Sequence, residues 1–410
     1  MRIAFISDIH FGKYSTTEDF TVPGEPCIDN TNNVESLERG LIQLIKDNNA
    51  SYLFIGGDLT STGSPQELLC CEQKILDIAS ECGISKDKVI YTLGNHDINW
   101  KIIGLSDEFE NCSKDHFSKV HEGYRRIASH APIAVMHNLI LPPNPGPVPS
   151  TGVFTESSFI VFVLNSSCYC SNKQHNPHGR LDTIQLKWFR NQLEKYENDP
   201  RTKIVLLHHH PANYPYPIPG EDASLLEEGS ELKSLAGKYG INLILHGHRH
   251  HPRATTIWES EWKNPVVFIS AGSVSVNCKH RNEGSIPNTA HIIDLSKAPD
   301  HFTLYNYQYS LSKGWIKLTR YEDETPLDPV MKVGQIISEE RVVDAIKSLP
   351  NPNINTTILT YEELPCDLHY LYYDQINDYI QQLLSDRYAI CGSFPGNVSL
   401  TKRGDINPCL

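Results

Sequence analysis

The sequence contains five short apolar runs, and each of them ends in aspartate, asparagine or histidine. The first run, Ile3-Ala4-Phe5-Ile6, leads into Asp8 and His10. The other four lead into Gly57-Asp58, Gly94-Asn95-His96-Asp97, His208-His209-His210-Pro211 and His246-Gly247-His248. Short apolar runs with such endings are typical of buried strands. Because ligands in α/β folds gather at the carboxyl ends of strands, we expect these polar groups to lie along one sheet edge.

Helical patterns alternate with these runs. The clearest one begins at Ser64-Pro65-Gln66-Glu67, where Ser64 suits the N-cap, Pro65 suits the first turn and Glu67 completes a capping box. Seven or more strands interleaved with helices predict an α/β fold. We expect a four-layer αββα sandwich, in which two stacked mixed β-sheets are flanked by helices.

Toward the end of the chain the alternation of strands and helices gives way to a helical, aromatic pattern, which predicts a separate C-terminal part. We assign residues 1–318 to the sandwich domain and residues 319–410 to a mainly helical C-terminal annex of unknown role. Residues 99–150 interrupt the strand and helix rhythm and end in a proline-rich stretch. This insertion suits a lid or cleft wall, and a surface loop stiffened by proline is the alternative.

The composition indicates a globular protein without a membrane span. The 410 residues are 39% hydrophobic and contain no uninterrupted apolar stretch of about 20 residues. The first strand begins directly after Met1, which leaves no room for a cleavable signal peptide, so we expect a cytoplasmic protein. The 11 cysteines are scattered and odd in number, which favours reduced thiols over a disulfide framework.

The formal net charge of −13 bears on the partners. It disfavours bulk nucleic acid, although a local basic groove would overcome that repulsion. We therefore expect a small phosphorylated substrate, with nucleic acid as the less favoured possibility. The sequence gives no indication of an oligomeric state.

Seven residues in the polar groups have the chemistry of metal ligands. Carboxylate, imidazole and carbonyl oxygen suit divalent ions such as Mn, Fe and Zn, and the absence of cysteine argues against a closed structural zinc site. Seven ligands exceed the needs of one open catalytic ion, so we expect two divalent or mixed-valence ions. The candidates are Asp8, His10, Asp58, Asn95, His209, His246 and His248.

In their order and spacing these blocks resemble those of the calcineurin-like metallophosphoesterases. The resemblance implies that Asp8, His10, Asp58 and His248 hold one metal, and that Asp58, Asn95, His209 and His246 hold the other. It further implies in-line attack at phosphorus by a metal-bridging hydroxide. His96 would assist the leaving group, Asn95 would also orient the phosphate, and Asp97 would orient His96.

Two parts of this ligand set leave a choice among neighbouring residues. The family ligand usually precedes the proline by two residues, which favours His209, and strand alternation then turns His208 and His210 the other way. Arg249 and His250 follow the last block and are candidate phosphate contacts. A solvated basic loop is the alternative for these two.

The surrounding sequence narrows the branch of the family. No Gly-Asp-x-x-Asp-Arg-Gly block follows Asp58, which disfavours protein Ser/Thr phosphatases. The His-His-His-Pro and Gly-His-x-His spacings are similar to those of the cyclic-nucleotide phosphodiesterase branch. We therefore expect a metal-dependent hydrolase of a phosphodiester or phosphomonoester. A DNA or RNA nuclease and a metal-free interaction scaffold are the alternatives.

Overall fold

The computed structural model describes most of the chain in several stretches. They are residues 1–24, 36–98, 144–148, 150–168, 179–212, 225–257, 259–277, 286–296, 298, 301–310, 314–317, 330–332, 339–349, 356–359, 364, 373–393 and 397–403. The proposed lid, residues 99–150, lies outside the described residues except for 144–148 and 150.

The first large sheet has seven strands, and its centre is parallel. Strands β1 (Arg2–Ile6), β2 (Tyr52–Ile55) and β3 (Val89–Tyr91) pair in parallel. The antiparallel part consists of β11 (Asn288–Asp294), β12 (His301–Ser310), β13 (Gly314–Lys317) and β14 (Val330–Lys332). The strand order is β13-β12-β11-β1-β2-β3, and β14 also pairs with β12.

The second large sheet also has seven strands, in the order β4-β5-β6-β7-β8-β10-β9. Strands β6, β7, β8 and β10 are parallel to one another. The strands are β4 (Asn144–Pro145), β5 (Gly152–Thr155), β6 (Phe159–Val163), β7 (Thr202–Leu206), β8 (Leu243–His246), β9 (Pro252–Ile257) and β10 (Val266–Ala271).

The helices and the two large sheets form four layers, and a hydrophobic cluster lies between each layer and the next. Helices α1 (Leu37–Asp47) and α2 (Pro65–Glu81) cover the outer face of the first sheet. Apolar side chains of both sheets, among them Phe54 and Phe159, form the middle cluster. Helices α3 (Thr183–Lys195) and α4 (Gly229–Tyr239) cover the second sheet. The predicted αββα sandwich is thereby confirmed.

Local signals in the sequence place the helix starts. The Ser64 side chain accepts a hydrogen bond from the Glu67 amide at the start of α2, and Asp182 accepts one from Gln185 at the start of α3. Such caps satisfy amide groups that the helix itself leaves without partners. None of the helices in the described part of the chain combines the length and apolar character needed to cross a membrane.

The C-terminal part contains a sheet as well as helices. Helices α5 (Glu339–Ser348) and α6 (Tyr373–Leu384) share a core with a three-stranded antiparallel sheet. Its strands are β15 (Thr356–Leu359), β16 (Tyr388–Cys391) and β17 (Val398–Lys402), in the order β15-β17-β16. The expectation of a mainly helical annex did not include this sheet. Strand β14 also lies beyond residue 318 and still belongs to the first large sheet.

Two adjacent leucines on α2 test the packing of the first helical layer. Leu68 is 1% exposed and Leu69 is 51% exposed. We expect Leu68→Ala to lower the free energy of unfolding by about 2–5 kcal/mol, because it removes buried methyl groups and leaves a cavity. Leu69→Ala should change it by less than about 0.5 kcal/mol. Urea unfolding of both variants measures the difference, and equal losses would contradict this packing.

Candidate metal centre

The predicted polar groups meet where the two large sheets face each other. Asp8, Asp58 and Asn95 follow the carboxyl ends of β1, β2 and β3, which are parallel neighbours. His208 and His248 follow β7 and β8 in the other sheet. The Gly247 amide donates to the His208 carbonyl, and the His248 amide donates to the Asp8 carboxylate. Both sheets therefore contribute to one site.

Within the described residues, possible metal ligands form two groups that share Asp58. One group contains Asp8, His10, Asp58 and His250, and the other contains Asp58, His208 and His248. In each group, one ligand atom from each residue lies within 4.8 Å of the others. A shared carboxylate is the arrangement expected of a bridging ligand between two ions.

The first group brings two imidazole rings against two carboxylates. His10 Nε2 lies 3.3 Å from Asp58 Oδ2, and His250 Nε2 lies 3.3 Å from Asp8 Oδ1. The two Nε2 atoms are 3.3 Å apart. Asp8, His10 and Asp58 are buried, whereas His250 is half-buried.

The second group is organised around His208. Its Nδ1 donates to the Gly56 carbonyl over 2.8 Å, so the lone pair of the neutral ring is on Nε2. This Nε2 lies 3.3 Å from Asp58 Oδ2, 3.2 Å from Asn95 Oδ1 and 3.1 Å from His248 Nδ1. Asn95 thus adds its carbonyl oxygen to the second group.

The backbone of the candidate ligands is unusual. Seven described residues other than glycine have positive φ, and five of them belong to the two groups. Their φ angles are 52° at Asp8, 47° at His10, 50° at Asp58, 79° at His248 and 56° at His250. Left-handed conformations cost energy in residues with a Cβ, and they concentrate at functional sites. This strain is independent support for a site at these positions.

Two glycines permit the close approach of the loops. A Cβ atom at Gly94 would collide with the Asp58 carboxylate, and a Cβ atom at Gly247 would collide with the Asp8 carboxylate. These contacts explain why glycine lies directly before Asn95 and before His248.

The electrostatics of the site is dominated by burial and by Asp58. Burial lowers the pKa of His10 to about 4 against the opposing charge of Asp58, so this ring is neutral near pH 7. Burial alone would also lower the pKa of His208. The charge and hydrogen bond of Asp58 outweigh it and raise that pKa to about 9. Burial works against the charged form of Asp58, yet the neighbouring histidines hold its pKa well below the usual value.

His96 lies at the edge of the site and is half-buried. Its amide donates to Asp58 Oδ1 over 2.8 Å, and its Nδ1 donates to the Ser61 carbonyl over 3.0 Å. Asp97 was expected to orient this ring. Its carboxylate accepts hydrogen bonds from the amides of Leu59, Thr60 and Gly94.

Two of the expected ligands, His209 and His246, lie outside the two groups of possible ligands. His209 was preferred over His208, but its Nδ1 faces the Ser166 hydroxyl at 2.9 Å, and it is in neither group. Strand alternation predicts that neighbouring histidines face opposite ways, yet it does not say which one faces the site. His208 is the one beside Asp58.

In the block that follows β8, the possible ligands are His248 and His250, whereas the expected ones were His246 and His248. His246 is in neither group, its Nδ1 is directed to the Gly247 carbonyl, and its ring lies 6.1 Å from that of His210. His248 lies in the second group and not the first, and His250 is a potential ligand and not only a phosphate contact. The Gly-His-x-His spacing, read from Gly247, would have selected this pair. Arg249 lies between them and is half-buried.

Comparison with protein families identifies the group to which the chain belongs. The model of the calcineurin-like phosphoesterases matches residues 1–252, more than half of the 410 residues. The chain belongs to the calcineurin-like phosphoesterase family. The match includes every residue of the two ligand groups. No curated protein matches the chain in sequence.

Several solved structures resemble the chain in fold. Purple acid phosphatase PPD1 from yellow lupin (Lupinus luteus) seeds is 13% identical with a TM-score of 0.45, and the match covers 77% of this chain and 52% of that chain. This chain thus spans about half the length of the lupin protein. A dimetal phosphatase from Danio rerio is 12% identical with a TM-score of 0.44, and the match covers 78% of this chain and 98% of that chain. Vps29 from Entamoeba histolytica, complexed with Zn²⁺, is 10% identical with a TM-score of 0.32, and the match covers 78% of this chain and 97% of that chain.

Two matched pairs of variants test which of these histidines bind metal. His208→Ala and His250→Ala should each lower the bound manganese by up to one equivalent, because each removes a nitrogen that faces Asp58 or Asp8. His209→Ala and His246→Ala should keep the metal content of the unsubstituted protein. Metal analysis after dialysis, with thermal unfolding to confirm the folded state, measures the difference. Metal loss in the His209 and His246 variants alone would restore the earlier assignment.

Proposed function

We propose that the chain is a dinuclear-metal phosphoesterase that hydrolyses a phosphodiester or a phosphomonoester. The observation that carries this proposal is the pair of ligand groups joined by Asp58. The family supports the reaction class, because its description is that of a phosphoesterase.

The donor atoms fit a pair of divalent cations. Imidazole nitrogens of His10 and His250 lie within 3.3 Å of each other beside carboxylates, and so do those of His208 and His248. Each pair is close enough to bind one ion. The buried Nδ1 of His10 has no hydrogen-bond partner among the described residues. Mixed carboxylate, amide and imidazole ligands suit Mn, Fe or Zn.

We assign the ligands of each ion from these contacts. Asp8, His10, Asp58 and His250 would hold one ion. Asp58, Asn95, His208 and His248 would hold the other. The His208 assignment gains support from the Gly56 carbonyl, which fixes the ring so that Nε2 faces Asp58 and Asn95. His209 and His246 have no place in this proposal.

A bound pair of cations would polarise the phosphoryl oxygens and make a water acidic enough to attack phosphorus in line. The chain's own residues would complete the reaction. Asn95 would orient the phosphoryl group, since its side chain borders the second ligand group. Arg249, between His248 and His250, remains a proposed contact for the negative phosphoryl oxygens.

His96 would deliver a proton to the leaving oxygen. The Ser61 carbonyl can only accept a hydrogen bond, so Nδ1 of His96 carries a proton and Nε2 is the nitrogen that would face the substrate. The protonated ring would donate from Nε2 as the ester bond breaks. General acid catalysis of this kind contributes about 10²- to 10⁴-fold to the rate.

The metal requirement is the first test of this proposal. The purified protein should bind two equivalents of manganese, and prolonged chelation should abolish hydrolysis of bis-p-nitrophenyl phosphate and p-nitrophenyl phosphate. Added manganese should restore it. Comparison of the two esters decides between diester and monoester preference. A metal-replete protein inert toward both would contradict the proposal. Cleavage of single-stranded oligonucleotides with strong salt sensitivity would favour the nuclease alternative.

Substitution of the shared carboxylate and of the proposed phosphate ligand is the second test. Asp58→Asn and Asn95→Ala should lower kcat by at least about 100-fold, because each removes charge or orientation at the reacting phosphorus. Asp199→Asn is a matched control, since Asp199 pairs with Arg201 outside the site. Initial rates at saturating manganese measure the effect. Equal activity in all three variants would refute the site.

A further inference from the structure

Tyr14 is an aromatic residue at the border of the metal centre, and no step of the proposed reaction uses it. Its ring centroid lies 6.1 Å from that of His10, with an interplanar angle of 63°, and 5.8 Å from that of His96, with an angle of 85°. The centroids of His10 and His96 are themselves 4.6 Å apart. Tyr14 therefore lies beside a proposed metal ligand and beside the proposed proton donor at the same time.

The backbone of Tyr14 is held in place on both sides. Its amide donates to the Ser61 hydroxyl over 3.1 Å, and its carbonyl accepts from the Asn277 amide over 2.8 Å. The next residue, Ser15, forms a β-bridge with Val276. A ring on such a backbone has its position before a ligand arrives, which reduces the entropy that binding costs.

Ser61 also connects Tyr14 with His96. Its hydroxyl donates to the His10 carbonyl over 2.7 Å and accepts from the Tyr14 amide, while its carbonyl accepts from Nδ1 of His96. A leaving oxygen that receives a proton from Nε2 of His96 would lie about 3 Å from that nitrogen. The ring of Tyr14 is then within reach of the atoms that follow the leaving oxygen.

The surroundings of the ring indicate which kind of group it would contact. Tyr14 is half-buried, so part of it is accessible to solvent. The exposed side chain of Lys13 places its ammonium group 4.7 Å from the ring centroid. This cation would repel a leaving group that carries a positive charge, but it would not repel a neutral ring. A neutral aromatic ring packed against tyrosine gains about 2- to 12-fold in affinity beyond the effect of its area.

We propose that Tyr14 determines the substrate class of this site by packing against an aromatic ring in the leaving group of the ester. The kinetic consequence of this contact rests on the proposed phosphoesterase, whereas its effect on binding does not require hydrolysis. The preferred substrates are then esters of alcohols that carry a planar ring close to the ester oxygen. A leaving group with a quaternary ammonium is the competing possibility that the test must exclude.

Two esters that differ mainly in the flatness of the leaving group test the contact. Benzyl phosphate and cyclohexylmethyl phosphate release primary alcohols with the same number of carbon atoms and similar acidity, so both need the same proton. We expect kcat/KM at saturating manganese to be about 2- to 12-fold higher for the benzyl ester. Tyr14→Leu should abolish this preference, and Tyr14→Phe should retain it. If the protein hydrolyses diesters alone, the methyl diesters of both alcohols replace the monoesters.

Tyr305→Leu is the matched control. Tyr305 also has cations over its ring, with Arg2 at 5.4 Å and Lys317 at 4.0 Å from the centroid. It lies on β12, where it pairs with Ile292 of β11, and not in a loop of the metal centre. We expect Tyr305→Leu to leave the ratio of the two kcat/KM values unchanged. A ratio that falls equally in Tyr305→Leu and Tyr14→Leu would reveal a general effect of a lost ring and overturn the proposal.

Binding of phosphonates gives a readout that does not require turnover. Phenethylphosphonate and 2-cyclohexylethylphosphonate have a methylene group in place of the ester oxygen and cannot be hydrolysed at that bond. Isothermal titration calorimetry with the manganese-loaded protein should give a Kd about 2- to 12-fold lower for the phenethyl compound. Tyr14→Leu should make the two Kd values equal, and Tyr305→Leu should not.

The outcomes separate this proposal from the proposed function. Selective binding that Tyr14→Leu removes, without hydrolysis of any ester, would refute the hydrolase and support the Tyr14 contact. Hydrolysis of both esters with equal kcat/KM, together with equal Kd values for the phosphonates, would overturn the Tyr14 contact alone. A protein that binds neither phosphonate and hydrolyses no ester overturns both proposals.

Two further measurements complete the test. A preference for phosphocholine over the uncharged 3,3-dimethylbutyl phosphate that is lost in Tyr14→Leu would overturn the proposal in favour of a cationic leaving group. Should Tyr14→Leu not fold, Tyr14→Met keeps a long apolar side chain without a ring and should lose the benzyl preference in the same way. An unchanged benzyl preference in that variant overturns the proposal.

Discussion

The arrangement at the junction of the two sheets depends on keeping carboxylates away from water. Asp8, Asp58 and Asp97 are each at most 1% exposed. A buried carboxylate is costly unless charge or hydrogen bonds compensate for it. These three carboxylates are compensated in different ways. Asp97 accepts hydrogen bonds from backbone amides, whereas Asp58 faces the buried ring of His10 and Asp8 faces the half-buried ring of His250. Bound cations would offset the negative charge of these buried carboxylates and accept the lone pairs of the imidazoles.

The general location of this site follows from the sequence. Parallel strands that end in Asp8, Asp58 and Asn95 must place those residues together, because neighbouring parallel strands share an edge. The helix cap at Ser64 could also be predicted, since a cap depends on residues within one turn. These features are local or follow from strand direction alone.

The sequence did not show which of the three adjacent histidines faces the site. Three histidines precede Pro211, and alternation separates their faces without indicating which face meets the site. The orientation is set by contacts that are remote in sequence, such as the bond from His208 to the Gly56 carbonyl, 152 residues away. The C-terminal sheet was missed for a similar reason. Its strands are short, and β15 pairs with β17 across the residues of α6 and β16.

The edge of β12 ties the two proposed parts of the chain together. Its last residues pair with β13 and its first residues pair with β14, so both strands shield the same margin of the first sheet. Cleavage of the polypeptide after residue 318 would detach β14 and bare the amide and carbonyl groups of His301–Thr303. Uncovered margins of this kind recruit strands from other molecules, and the sandwich alone would then be prone to self-association.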